Sequence, residues 1–160
     1  MNKVLDVKTI AINAMIAAVY AALTIAIAPI AYGGIQMRIS EIMVFLAFYN
    51  KKYIPGLVIG CFVANMASPM AAWDMIFGTL ATLLACIAMY KLDHLFLGAL
   101  AGGIINGLIV GAELYFALDL PFVINAFYVF IGEFGVLVVG AILFKLIYKN
   151  EVLMKKYILE

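Results

Sequence analysis

Charge is what this chain lacks most. Charged residues fill 12% of its 160 positions, where a soluble domain carries about 25%. Apolar residues take their place at 68%, in long uncharged runs. Such a chain is an all-α integral membrane protein in contact with a lipid bilayer, read here as a single domain over residues 1–160. The net charge of +1 excludes the basic surface that a nucleic-acid partner requires. Cysteine is scarce too. Cys61 and Cys86 lie in apolar runs without C-x-x-C or metal-ligand spacing, and read as small core hydrophobes. The lone histidine, His94, has no cluster around it, so no metal site is expected. There is no G-x-x-x-x-G-K-[ST], no H-E-x-x-H and no G-x-S-x-G, so the chain has no catalytic motif and no ATPase site of its own. No small-residue cleavage site follows the long first apolar run, which argues against a removable leader.

Hydropathy marks six spans, at 8–28, 38–49, 53–68, 73–90, 95–117 and 123–148. The first, fourth, fifth and sixth suffice for a hydrocarbon core of about 30 Å at ~1.5 Å per residue. The second and third are short. A re-entrant hairpin there carries Lys51 and Lys52 into lipid, at about 2.5 kcal/mol or more each. Two short or tilted crossings that meet at a surface turn avoid this, so the expected fold is a compact six-transmembrane-helix bundle. Lys3, Lys8, Lys51, Lys52, Lys91, Lys145, Lys149, Lys155 and Lys156 then share one side, and Arg38 stands alone on the other. The positive-inside rule places both termini in the cytoplasm.

Depth sorts the polar residues. Arg38 and Glu41 enter the second span from outside, and Asn65 ends the third. Trp73 and Asp74 open the fourth. Glu113 and Tyr115 lie in the last outer turns of the fifth, and Asn125 and Tyr128 in the first turns of the sixth. Glu133 falls about 15 Å further in, near the midplane. Asn106 has a similar depth and shares a helical face with Glu113, seven residues on. The inner halves hold almost no such groups, which suggests a pocket that opens outward and closes below. Simpler roles compete. Arg38 and Glu41 could be an interfacial ion pair, Asp74 and Asn125 helix-start groups, Trp73 a belt aromatic and Asn106 interhelical glue. Glu113 and Glu133 resist such readings best, because no lysine or arginine lies at their depth to neutralise them.

Two stripes of small residues stand out. Ala14, Ala18, Ala22 and Ala26 recur every four residues in the first span, and Gly103, Gly107 and Gly111 in the fifth. Either suits packing inside the bundle, and one is free to serve as an external docking surface. No internal repeat of the kind found in many secondary transporters is visible.

The stretches APIAYGGIQMRISE, IPGLVIGCFVAN, DMIFGTLATLLA and NGLIVGAELYFALDLPF, then the Gly-Glu pair of the last span, follow in order over nearly the whole chain. In these the chain resembles the QueT family of queuosine-precursor transporters. The I-Q-x-R-x-S-E box and the NGLIVGAELY segment carry the resemblance. It implies a substrate-binding S component of an energy-coupling factor (ECF) transporter, in a bacterial cell membrane. Such a subunit captures a vitamin-like ligand outside. It works with a transmembrane coupling protein and two cytoplasmic ABC-type ATPases, which use the ATP; no cofactor is expected on this chain. The resemblance also implies that Ala14, Ala18 and Ala22 touch the coupling protein, that Pro29 to Gln36 form a lid, and that the ligand is a 7-deazaguanine base.

The chemistry suits that ligand. One carboxylate can accept both the ring N1–H and the exocyclic amine, and a second suits the ammonium of an aminomethyl form. Glu113 and Glu133 are the candidates, in either order. Asn106 or Asn65 would serve the ring oxygen, with Trp73, Tyr115 or Tyr128 stacking on the ring. Arg38 and Glu41 would line the mouth, with Asp74 and Asn125 nearby. The competing readings are an S component for another vitamin-like ligand, a proton-coupled carrier using Glu113 and Glu133, and a structural assembly subunit. An enzyme comes last.

Overall fold

In lipid a chain segment must satisfy its own backbone groups, and in a single-chain segment only a helix does so. The computed structural model describes residues 6–33 and 35–148, and among them there is no strand. Gly34, Lys3, Lys149, Lys155 and Lys156 lie outside the described residues. Four helices are long and apolar enough to cross a membrane: α1 (Val7–Ala26), α5 (Ala71–Lys91), α6 (Leu95–Leu118) and α7 (Phe122–Tyr148). A single turn, α2 (Ala28–Ala31), follows α1. A 3₁₀ segment, Ile39–Val44, runs straight into α3 (Phe45–Tyr49). A second 3₁₀ turn, Lys51–Tyr53, leads into α4 (Ile54–Asn65).

The boundaries of the four long helices fall within about two residues of the hydropathy reading. The segments between α1 and α5 differ more. The third span stops at Asn65 because residues 66–70 form turns. The second begins as a 3₁₀ helix, and its burial shows why. Arg38, Glu41, Val44 and Ala47 are all buried. They recur every three residues, the repeat that a 3₁₀ helix stacks on one face. This segment and α4 each rise about 18–20 Å, less than a hydrocarbon core.

Helix α1 packs on α4, α4 on α5, α5 on α6 and α6 on α7, and the 3₁₀ segment lies between α1, α5 and α7. The α6–α7 interface depends on the glycine stripe. A Cβ on Gly111 would meet Ala126 at 2.7 Å, and one on Gly107 would meet the Ala126 carbonyl at 2.8 Å. The glycine stripe is therefore internal. Ala14, Ala18 and Ala22 are exposed, on a face of α1 that no other described element covers.

The loop after α1 is tied down at both sides. The Tyr32 hydroxyl donates to the Ala64 carbonyl at 2.5 Å, and the Met37 N–H donates to Ile30 at 3.2 Å. Its carbonyls also press on α7 at Gly132, where an added Cβ would lie 1.8 Å from the Ile35 oxygen. Only a glycine admits the loop there.

Candidate functional site

The two ends of the bundle are chemically unlike. One end gathers the 3₁₀ turn at Lys51–Tyr53, the 92–94 turn and the start of α1. Asn13 at this end donates to the Lys52 carbonyl at 2.9 Å and accepts from the Gly56 N–H at 2.7 Å. Lys51 lies over the Tyr90 ring. An open hollow of about 550 Å³ is lined here by Phe48, Tyr49, Asp93, His94, Phe96 and Lys145. The interior beside it is apolar, built on Phe45, Met89, Leu137 and Phe144.

The opposite end holds the chemistry. A smaller hollow of about 250 Å³ opens between the α1–α3 loop, the α4–α5 turn and the ends of α6 and α7. Tyr32, Gln36, Ser68, Asp74, Leu114 and Asn125 line it. Behind it sits a cluster of buried polar side chains. Arg38, 1% exposed, pairs with Asp74 at 3.2 Å. Ser68 donates to the other Asp74 oxygen. Asn65 donates to the Asp74 backbone carbonyl at 2.8 Å. Gly78 makes room for this, since a Cβ there would lie 2.8 Å from the Asn65 amide and 3.2 Å from the guanidinium. Deeper, Tyr20 and Thr82 both donate to one oxygen of Glu41. Thr82 also reaches the Cys61 sulfur at 3.2 Å. Both cysteines are free and buried.

The sequence-expected residues divide cleanly. Arg38, Glu41, Asn65, Asp74, Asn106, Glu113 and Glu133 are all buried to 2% exposure or less. Arg38 takes Asp74 as its partner, so the competing reading of a local Arg38–Glu41 ion pair gives way to a pair that joins the 3₁₀ segment to α5. Both oxygens of Glu113, whose carboxyl lies within hydrogen-bonding reach of that of Asp74, are buried without a further hydrogen-bond partner. So are one oxygen each of Glu41 and Glu133, the carbonyl oxygens of Asn65 and Asn106, and Nε and Nη1 of Arg38. Buried polar groups are ordinarily paired, so this concentration of open donors and acceptors has the character of a recognition surface. The Glu113 carboxyl interacts electrostatically with Asp74 and Arg38, and Glu133 with Glu41 and Arg38.

Trp73, Tyr115 and Tyr128 are 40–48% exposed and stand outside the buried cluster. Trp73 rests on Phe77 and Tyr115 on Phe116. Asn125 reaches the hollow but donates to the Pro121 carbonyl at 2.7 Å. The ring that does border the hollow is Tyr32, whose face also meets the Arg38 guanidinium at 5.7 Å.

Sequence reasoning missed Tyr20, Ser68 and Thr82, and reached Tyr32 and Gln36 only as part of the Pro29–Gln36 lid segment. Two signals were present. Asp74, Gly78 and Thr82 lie four residues apart on one face of α5. Gln36 sits within the I-Q-x-R-x-S-E box, and its φ of 26° marks a backbone constrained by its surroundings.

The QueT transporter family model matches residues 10–149. The queuosine precursor transporter QueT of Lactococcus lactis subsp. cremoris (strain MG1363) is 35% identical over 157 residues, covering 88% of this chain and 90% of that protein. No solved structure matches significantly. The buried cluster lies on segments within the matched region, and on these grounds the chain belongs to the QueT transporter family.

Proposed function

We propose that this chain is the substrate-capturing membrane subunit, or S component, of an ATP-driven ECF importer for a queuosine precursor. The observation that carries the reading is the set of open, buried donors and acceptors behind the smaller hollow. A 7-deazaguanine base offers matching groups. Its N1–H and exocyclic amine suit a carboxylate accepting both, and Glu133 takes that role. Its ring oxygen suits the open Arg38 Nε or Nη1. The open oxygens of Asn65 and Asn106 are acceptors, and Asn106 keeps one amide N–H beyond its bond to the Gly102 carbonyl, so Arg38 joins the amides as a donor for that oxygen. Tyr32 is the ring placed to stack.

In the bilayer, the 3₁₀–α3 segment and α4 form two short crossings, giving six in all. The lysine-bearing end faces the cytoplasm of a bacterial cell, and the polar end faces out. The chain lacks an ATPase motif, so a transmembrane coupling protein and two ABC-type ATPases supply the energy. The uncovered Ala14, Ala18 and Ala22 face supports a docking role toward the coupling protein.

Uptake of a deazaguanine by cells expressing this chain, with and without the ATPases, tests the reading. Uptake that requires the ATPases supports it. The open oxygens of Glu113 and Glu133 also suit proton coupling. Uptake that persists without the ATPases and collapses with the proton gradient would favour that carrier instead.

A further inference from the structure

The hollow at the lysine end has no part in capturing a deazaguanine, yet its volume of about 550 Å³ falls in the range of small-ligand sites. Its walls come from the end of α3, the 92–94 turn, the start of α6 and the last turn of α7. Phe48, Tyr49 and Phe96 make an aromatic side. Tyr49 stacks on Phe144 at 5.9 Å between ring centres, and Phe48 meets Tyr49 edge-on at 5.2 Å, so this side is held in place. Lys145, Asp93 and His94 make a polar side. Lys145 and Asp93 are oppositely charged and line one hollow, but no ion pair joins them, and neither has another ion-pair partner among the described residues.

A complementary occupant offers an anion to Lys145 and a cation to Asp93. A phosphate ester that bears a primary ammonium does both. Its phosphate accepts from Lys145 and from the His94 imidazole, while its ammonium donates to Asp93 and faces the aromatic side. The surroundings assign the rest of the occupant. Phe96, Leu100, Ile104 and Leu108 recur every four residues on α6 and are 39–52% exposed. They form an apolar strip that runs from the hollow toward the other end of the bundle. Beside Lys145, Ile142 and Leu146 are exposed as well. An acyl chain lying on this strip leaves its headgroup at the hollow, and charged pockets between membrane helices are where lipid headgroups are recognised.

We propose that this hollow is a binding site for an aminophospholipid, with the phosphate on Lys145 and His94, the ammonium on Asp93 and one acyl chain along the Phe96–Leu108 face of α6. The site is independent of the deazaguanine reading and of any coupling partner. On the orientation proposed above, it takes its lipid from the inner leaflet.

Native mass spectrometry of the full chain in detergent tests this, with phosphatidylethanolamine, phosphatidylglycerol and phosphatidylcholine of matched acyl chains, and with glycerophosphoethanolamine as the chain-free headgroup. Phosphatidylethanolamine should be retained about threefold or more over the other two lipids, the scale of one exposed charge pair. Phosphatidylglycerol lacks the cation, and the phosphatidylcholine ammonium has no N–H to donate. Asp93→Asn should abolish the preference over phosphatidylglycerol, and Lys145→Gln should weaken both lipids by about threefold. Both side chains are exposed and lie outside the polar cluster, so the unfolding midpoint should not move. Equal retention of the three lipids, or tighter retention of phosphatidylglycerol, overturns the proposal. A preference that survives both substitutions also overturns it and leaves the hollow to a protein partner. Glycerophosphoethanolamine that binds as well as the lipid overturns the acyl-chain assignment and makes the occupant a soluble phosphate ester.

Discussion

The interior of this chain has two halves that do opposite things with burial. At the lysine end, glycines seat large apolar side chains. A Cβ on Gly98 would lie 2.7 Å from the Met89 sulfur, one on Gly102 2.7 Å from Leu137, and one on Gly140 2.8 Å from the Phe45 ring. Phe45 and Phe144 sit 5.7 Å apart between ring centres, and Tyr49 stacks on Phe144. At the polar end, the same helices bury carboxylates, amides and a guanidinium with several atoms unmatched. Close packing gains dispersion contacts without a polar penalty. Unmatched polar atoms gain nothing until something binds them. The difference teaches that one half is packed to completion, while the other, where the ligand site is proposed, keeps polar atoms unmatched.

This division can be broken or sharpened by mutation. The largest effect belongs to Arg38→Met, which breaks the buried pair with Asp74. Stability should fall by about 3–5 kcal/mol and deazaguanine binding should vanish, read by thermal unfolding in detergent and calorimetry. Here the polar end also supports the fold, because the pair joins two segments. Leu137→Ala, at the lysine end, should cost about 2–5 kcal/mol of stability. Its affinity for ligand should stay within about threefold of wild type; a much larger loss of affinity would erase the division. Glu133→Gln should do the reverse, weakening binding by about tenfold or more with an unfolding midpoint equal to or above that of wild type. Ala18→Leu should have the smallest effect on the isolated chain. Both midpoint and affinity should be unchanged, while uptake in cells that contain the ATPase module falls sharply. Normal uptake by that variant would remove the α1 face from the coupling role.

The sequence made much of this legible, for physical reasons. Apolar run length fixes helix length in lipid, so α1, α5, α6 and α7 were readable to within a turn. Charge inside such runs is rare, so Arg38, Glu41, Asp74, Glu113 and Glu133 were conspicuous. Pairing was less readable. Arg38 and Glu41 are neighbours in sequence, but Asp74 reaches the guanidinium from α5, a choice that only the tertiary approach at Gly78 decides. Tyr20 and Thr82 were hidden because hydroxyl residues are ordinary in apolar helices and gain meaning only from the carboxylate they face. Trp73, Tyr115 and Tyr128 have the right depth, but depth does not say which way a ring points. The two small-residue stripes have the same spacing, and only the partner helix distinguishes the covered Gly111 from the uncovered Ala18.

The most direct test of the central claim is a calorimetric titration of the purified chain with 7-aminomethyl-7-deazaguanine, with riboflavin as the control. The account predicts one tight site, in the nanomolar range, for the deazaguanine and no binding of riboflavin. Absence of deazaguanine binding to the folded chain would contradict it.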